Sequence, residues 1–347
     1  MTKKTLLVLL IITALAFVLR IYNITSVPPS PDWDEASLGY NAYSILKTGK
    51  DEFGNYLPLS LRSFNDYKPA FYAYTAIPSV ALFGLNIFAV RLPSVLMGVL
   101  TVIGVFFLAE YLRKSLKQSR LNVSFSLLVS FLLSISPWHL QFSRGAFEVN
   151  SGLFLLVWGA VFLLWGTVKP GFLLFSAVFY SLSLYAYHSS RIFVPLFLLG
   201  VFIIYRDKFL AVRKYLAVAV IIGIIMSLPA LFIMISPEGR QRLAGVSIYT
   251  DQTGLLRDNV IKIDQDNAVN NKFANLLHNR RLTYVERFIE GYLWHFTPIW
   301  LFLNGDGVGR HHAPDMGLLY LIELPFVLLG LYKLLGAKEK EKYIILL

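Results

Sequence analysis

The tract Pro31-Asp32-Trp33-Asp34-Glu35-Ala36 sets three carboxylates beside an indole. Residues from about 35 to 47 read as an amphipathic helix with Gly49 just past its end. Asp34 then takes the N-cap position and Glu35 the first turn, where acidic side chains meet the positive helix end. Capping is the ordinary use of such residues. The chemical use is a carboxylate at a helix start that accepts the proton of a hydroxyl group. Trp33 and Tyr40 suit a sugar-stacking wall, although interfacial anchoring is the commoner job of such rings.

Further along lies Asn65-Asp66-Tyr67-Lys68-Pro69-Ala70. Pro69 is able to start a helix, and a lysine at a helix start opposes the macrodipole unless an anion such as a phosphate is close. The alternative for Lys68 is snorkelling to lipid headgroups. In the run from Pro137 to Asn150, Arg144 and Glu148 are four apart and share a face if the run is helical. They form a simple ion pair there, or Glu148 is a second carboxylate facing Asp34 across a cavity and tuned by Arg144. Tyr187-His188-Ser189-Ser190-Arg191 is another polar connection between apolar segments. The stretch Asn304-Gly305-Asp306-Gly307-Val308-Gly309-Arg310-His311-His312 is glycine-rich, which frees backbone amides to approach an anion. It is not a P-loop, since no Gly-Lys-Ser/Thr follows, and adjacent His311 and His312 lack the i, i+4 spacing of a helical zinc pair.

The elements that must position these residues are apolar helices. Of 347 residues, 56% are hydrophobic and 15% charged, and the mean hydropathy is +0.59. Soluble domains carry about 25% charged residues. A disordered chain, a fibrous repeat and an ordinary soluble enzyme are excluded, and the bilayer is the solvent. The net charge of +11 fits basic cytoplasmic loops better than nucleic-acid binding. With no cysteine there is no disulfide framework, thiolate metal site or thiol nucleophile. Lys3-Lys4 followed by apolar residues to Leu19 reads as an uncleaved first span with its N-terminus inside. Further spans are predicted over about 90–112, 121–140, 149–168, 171–188, 191–206, 215–235 and 316–335. Tyr343 to Leu347 read as the opening of another, so the C-terminus reads as truncated.

Two apolar stretches, about 69–85 and 285–303, are left over. If both stay outside, Arg113/Lys114/Lys117/Arg120, Lys169, Arg206/Lys208/Arg213/Lys214 and Lys333/Lys338/Lys340/Lys342 all fall inside, as the positive-inside rule asks. Tyr72, Tyr74, Tyr292, Trp294 and Trp300 suit an interfacial position for the two stretches. The predicted fold is therefore all-α: a polytopic integral membrane helical bundle in one domain, with outer segments at about 23–89 and 236–315 carrying interfacial helices. The acids Asp32, Asp34, Glu35, Asp51, Glu52 and Asp66 gather in the first of these, and Glu323 is the main acid inside a predicted span. A proton-coupled carrier would more often hold ionisable groups at the midplane.

Trp33-Asp34-Glu35-Ala36, Lys68-Pro69, Arg91-Leu92-Pro93-Ser94, and Ser143-Arg144 followed by Glu148 together resemble the C-type membrane glycosyltransferases. The resemblance is nearest to the dolichyl-phosphate-mannose protein mannosyltransferases and the bacterial aminoarabinose transferase of lipid A. It covers most of residues 1–320 and is densest in 1–150. It implies an inverting transfer of a mannose-like sugar from a polyprenyl-phosphate donor to a hydroxyl of a protein, lipid or glycan, on the extracytoplasmic face of the cell membrane. By the same resemblance Asp34 is the base, Glu35 assists or positions it, Lys68 contacts the lipid phosphate and Glu148 falls near a second acidic position. His188, Arg191, Arg310 and His311 are added as candidate phosphate contacts. The chemistry agrees. A phosphate leaving group departs as an anion and needs cations more than a general acid, while the acceptor hydroxyl needs a base. Nothing demands a cofactor, although two carboxylates and outer loops are able to hold a divalent ion. The competing functions are a transporter or flippase of lipid-linked sugars, which should show inverted halves or midplane charge, and a membrane scaffold.

Overall fold

The computed structural model describes residues 1–63, 66–115, 122–237, 239–240, 253–271, 273–336 and 343. Almost all of the regular structure is helical. Helix α1 (Lys3–Ile21) opens on Thr2, whose hydroxyl accepts the Thr5 amide at 3.1 Å. Helix α2 (Trp33–Thr48) ends at Gly49, which takes the left-handed φ of 71°. Strands β1 (Ser60–Ser63) and β2 (Asp66–Pro69) pair antiparallel with Leu61 opposite Lys68. Next come α3 (Phe71–Phe83), α4 (Ile87–Ser115), α5 (Val123–Ile135), α6 (Pro137–Arg144), α7 (Glu148–Gly166), α8 (Phe172–Ser183), α9 (Ser190–Ile204), α10 (Arg206–Ala211) and α11 (Arg213–Ile235). Helices over Thr253–Ala268, Ala274–Leu277, Arg280–Trp294 and Leu324–Leu335 follow.

Four helices, α1, α4, α7 and α11, are long and apolar enough to cross a membrane, and the bent pair α5–α6 makes a fifth. The chain is an integral membrane protein of polytopic, helical build. α4 is the central post and touches α1, α3, α5, α6 and α7, while α8 joins α7 to α11. The three other predicted spans are shorter than expected: α8 has 12 residues, α9 has 15 and Leu324–Leu335 has 12. At 1.5 Å per residue these reach only about 18–23 Å. α8 stops at Ser183 because residues 184–189 turn, which draws Tyr187 and His188 into the site described below. Glu323 sits in a short turn before Leu324–Leu335, where its carboxylate accepts the Tyr320 amide at 3.0 Å, so it is a helix-start acid and not a mid-span one.

Ser136 holds an extended ψ of 130° ahead of Pro137, as residues before proline must. The result is a bend of 56° between α5 and α6. The stretch predicted over 69–85 contains helix α3, which buries Tyr72, Ala73, Ala76, Ser79 and Val80 on one face and leaves Leu82 and Phe83 exposed at its end. Tyr72 has no exposed surface and donates to the Val90 carbonyl at 2.8 Å, and Tyr74 donates to the Pro58 carbonyl at 2.9 Å. Tyr72 is therefore packed inside the bundle and does not serve as an interfacial anchor. Tyr292 and Trp294 of the second stretch are exposed. Lys117, Arg120, Lys338, Lys340, Lys342 and the segment 344–347 lie outside the described residues.

Polar groups lock the helices at one end of the bundle. Arg20, with no exposed surface, donates to the Ala16 and Ser134 carbonyls at 2.9 and 3.0 Å and to His139 Nδ1 at 2.7 Å. Gly98 leaves the room for this. A Cβ there would lie 2.5 Å from Ser143 Cβ and 3.1 Å from Arg20 Nε. Gly98→Val is expected to abolish recovery of monodisperse protein in detergent. Size-exclusion profiles matching the wild type would contradict that packing.

Candidate active site

Helix α2 starts two residues earlier than its sequence suggests. Asp32 is the N-cap, and Asp34 stands in the first turn with its carboxylate unused by capping. Glu35, one residue on, points elsewhere. Its Oε1 accepts from Arg91 Nε at 2.9 Å and from the Ala146 amide at 2.7 Å. Its Oε2 accepts from Arg91 Nη2 at 2.7 Å and from the Asp32 amide at 3.2 Å. The remaining donors of Arg91 reach the carbonyls of Ile24, Pro28 and Ser30 at 2.7, 2.9 and 3.0 Å. A two-point guanidinium–carboxylate pair has fixed geometry. This buried pair therefore sets the path of 24–30, the start of α2 and the turn that leads into Glu148.

Lys68 arrives from the hairpin, not from a helix start. It sits on β2, three residues before α3, so the macrodipole reading of its position does not apply. Its ammonium donates to Asp34 Oδ1 and, at 3.0 Å, to Ser63 Oγ. The residue is buried rather than snorkelling to lipid. Arg310 arrives from the glycine-rich loop. Its Nη1 donates to Asp32 Oδ2 and lies 3.4 Å from Asp34 Oδ2, while its guanidinium lies 5.3 Å from the Trp33 ring centre. Each Asp34 oxygen thus faces a cation.

These groups line a cavity of about 470 Å³. Trp33 and Asp34 come from α2, Ser63, Asp66, Lys68 and Pro69 from the hairpin, Glu148 from the start of α7, Tyr187 and His188 from the turn after α8, and Arg310 from the loop. His188 Nε2 meets the Tyr67 carbonyl at 3.2 Å. Sequence reasoning placed Asp34, Lys68, Glu148, His188 and Arg310 here. It did not single out Asp32, Ser63, Asp66 or Tyr187. Asp32 carried a signal in its closeness to Asp34; Ser63 and Asp66 needed the hairpin pairing to be seen.

Four candidates go elsewhere. Glu35 is committed to Arg91. Arg144 does not meet Glu148, because α6 ends at Arg144 and Gly145 breaks the helix before α7 begins. Arg144 instead donates to the Leu19 carbonyl and to those of Tyr22 and Val27 at 2.8 and 3.0 Å, a basic side chain closing the carbonyl end of α1. Arg191 donates to the Leu184 carbonyl at 3.2 Å and does not line the cavity. His311 pairs with Asp306 at 2.6 Å and packs between Phe142 and Phe147. Burial would push the Asp306 carboxyl up, but hydrogen bonds from His311 and the Val308 amide outweigh it and hold the carboxyl below its ordinary range. Gln141 Nε2 donates to the Arg310 carbonyl at 3.0 Å, and Tyr320 Oη to that of Ile135 at 2.9 Å. The loop is thus strapped across α5 and α6 with Arg310 aimed at Asp34. The other outer acids hold turns: Asp51 accepts the Phe53 and Asn55 amides, and Glu52 accepts from Asn41 at 2.9 Å.

No protein-family model and no curated sequence matches the chain. Solved structures do. An Archaeoglobus fulgidus oligosaccharyltransferase tethered to an acceptor peptide with an NVT sequon aligns with a TM-score of 0.56 at 14% identity, over 99% of this chain and 46% of that one. The fold is shared with this oligosaccharyltransferase. The same archaeal enzyme, AglB, with an inhibitory peptide and a dolichol-phosphate aligns at 0.52 and 14% identity, over 99% and 46%. Its complex with Zn and sulfate aligns at 0.51 and 16%, over 98% and 44%. The chain spans a little under half the length of these neighbours, and the likeness is one of fold.

Since one neighbour holds Zn, the donors here bear on a divalent ion. Among the described residues no three His, Asp or Glu side chains converge as a metal site. Both Asp34 oxygens already face cations.

Proposed function

We propose that the chain is an inverting glycosyltransferase that moves a sugar from a polyprenyl-phosphate donor to an acceptor hydroxyl at the extracytoplasmic rim of the bundle. The observation that carries this reading is one carboxylate, Asp34, between Lys68 and Arg310 in a cavity at one end of a glycosyltransferase-like bundle. The acceptor oxygen attacks the anomeric carbon, and the bond from that carbon to the phosphate oxygen breaks with its electron pair leaving on polyprenyl phosphate. The hydroxyl proton passes to Asp34. Lys68 and Arg310 take up the charge that grows on the phosphate. Trp33 and Tyr187 are the rings against which a sugar packs, and Glu148 and His188 complete the wall. The dolichol-phosphate and acceptor peptide held by the neighbours agree with a lipid donor and a protein acceptor. The sugar is mannose-like by resemblance alone.

Purified protein given a short-chain polyprenyl-phosphate sugar should release polyprenyl phosphate and glycosylate an acceptor. Transport of the intact lipid without bond cleavage would favour a flippase. Lys68→Gln is expected to raise the KM for donor about tenfold or more, since a charge-assisted contact to phosphate contributes about 1.5–3 kcal/mol. Unchanged donor dependence would remove Lys68 from phosphate binding. Sidedness follows from the same reading: cysteines placed near 50 and 280 should label from outside the cell, and labelling from inside would reverse the proposed topology.

A further inference from the structure

We infer that Asp34 and the donor phosphate compete for the same two cations, so that the base is released only when donor is bound. This rests on the proposed transfer reaction and deepens it. Lys68, Asp34, Arg310 and Asp32 form a chain of two carboxylates and two cations, in that order. Lys68 Nζ and Arg310 Nη1 approach opposite oxygens of Asp34. Were Asp34 to lose its charge with both cations still facing it, Lys68 would lose its carboxylate partner and Arg310 would keep only Asp32. A partly buried cation without a counter-charge is costly. In the resting arrangement both Asp34 oxygens are engaged by cations.

A lipid phosphodiester brings one negative charge and new oxygens for Lys68 and Arg310. During transfer the phosphate gains a further negative charge as its bond to the sugar breaks, while Asp34 loses its own by taking the hydroxyl proton. Total charge is conserved, and it passes from carboxylate to phosphate. The two cations, already between them, follow it. Their mounting suits an exchange. Lys68 is fixed by strand pairing and Ser63. Arg310 has its backbone carbonyl held by Gln141, but its side chain is 37% exposed, parked between Asp32 and Asp34 over the Trp33 ring. The acceptor then meets a competent base only in the presence of donor, and a site without donor stays inert.

The test is titration of the full chain in detergent with farnesyl phosphate, an isoprenyl phosphate that carries no sugar. Asp34→Asn, which takes away the competing anion, should tighten binding about tenfold. Asp32→Asn, which loosens Arg310 alone, should tighten it about threefold and serves if Asp34→Asn does not fold. In a Lys68→Gln background the gain from Asp34→Asn should shrink at least threefold, because a shared cation makes the two changes non-additive. Unchanged or weaker binding by Asp34→Asn, or the same gain with and without Lys68, would overturn the competition while leaving the transfer reaction in place. No binding of farnesyl phosphate to the wild type would instead remove the phosphate-lipid donor, and the competition with it.

Discussion

Asp34→Asn is expected to lower sugar transfer by about 10²- to 10⁴-fold, the range a positioned general base contributes. The change keeps the size of the side chain and removes a proton acceptor. Asp34 is not the cap of α2, because Asp32 holds that position. Loss of activity therefore cannot be traced to a missing cap. The side chain is also only partly buried, at 22% exposure, so the fold should survive. Size-exclusion behaviour should match the wild type, with a melting temperature lowered by the loss of the ion pairs to Lys68 and Arg310, while product formation, followed by mass spectrometry, collapses. Turnover within a few-fold of the wild type would take Asp34 out of the reaction.

The second large effect concerns stability. Glu35→Ala leaves the Arg91 guanidinium, 1% exposed, without its carboxylate. Breaking one side of a buried ion pair costs about 3–5 kcal/mol, a large share of the roughly 5–15 kcal/mol that holds a typical domain. It also frees the Ala146 and Asp32 amides, and with them the approaches to Glu148 and Asp34. Thermal unfolding in detergent should show a large drop for Glu35→Ala. Replacing both partners by methionine should cost less than either single change, since no buried charge is then left alone. A Glu35→Ala protein that melts with the wild type would contradict the structural role of this pair.

Glu35 and Asp34 show how far sequence carries and where it stops. Neighbouring acids at a helix start look interchangeable in one dimension. A shift of the helix start to Trp33 turns one carboxylate into the cavity and the other toward Arg91, about 60 residues away in sequence. The membrane class and the helices α1, α4, α7 and α11 were legible because apolar length is a local property. The shortness of α8 was not: residues 184–189 are apolar and aromatic enough to continue the helix, and contacts such as Phe71 N to the Tyr185 carbonyl decide otherwise. The hairpin that delivers Lys68 is four residues per strand, too brief for periodicity to reveal. Arg310 was legible as a loop cation, but its partners Asp32 and Asp34 lie more than 270 residues away. The Arg144–Glu148 pairing failed for a local reason, since Gly145 ends α6 between them.

Density for a bound polyprenyl phosphate tests the account most directly. Cryo-electron microscopy of the protein with a short-chain polyprenyl phosphate should place the phosphate within about 3 Å of Lys68 Nζ and the Arg310 guanidinium, with both cations drawn off Asp34. A phosphate seated away from this cavity, with Lys68 and Arg310 still on Asp34, would contradict it.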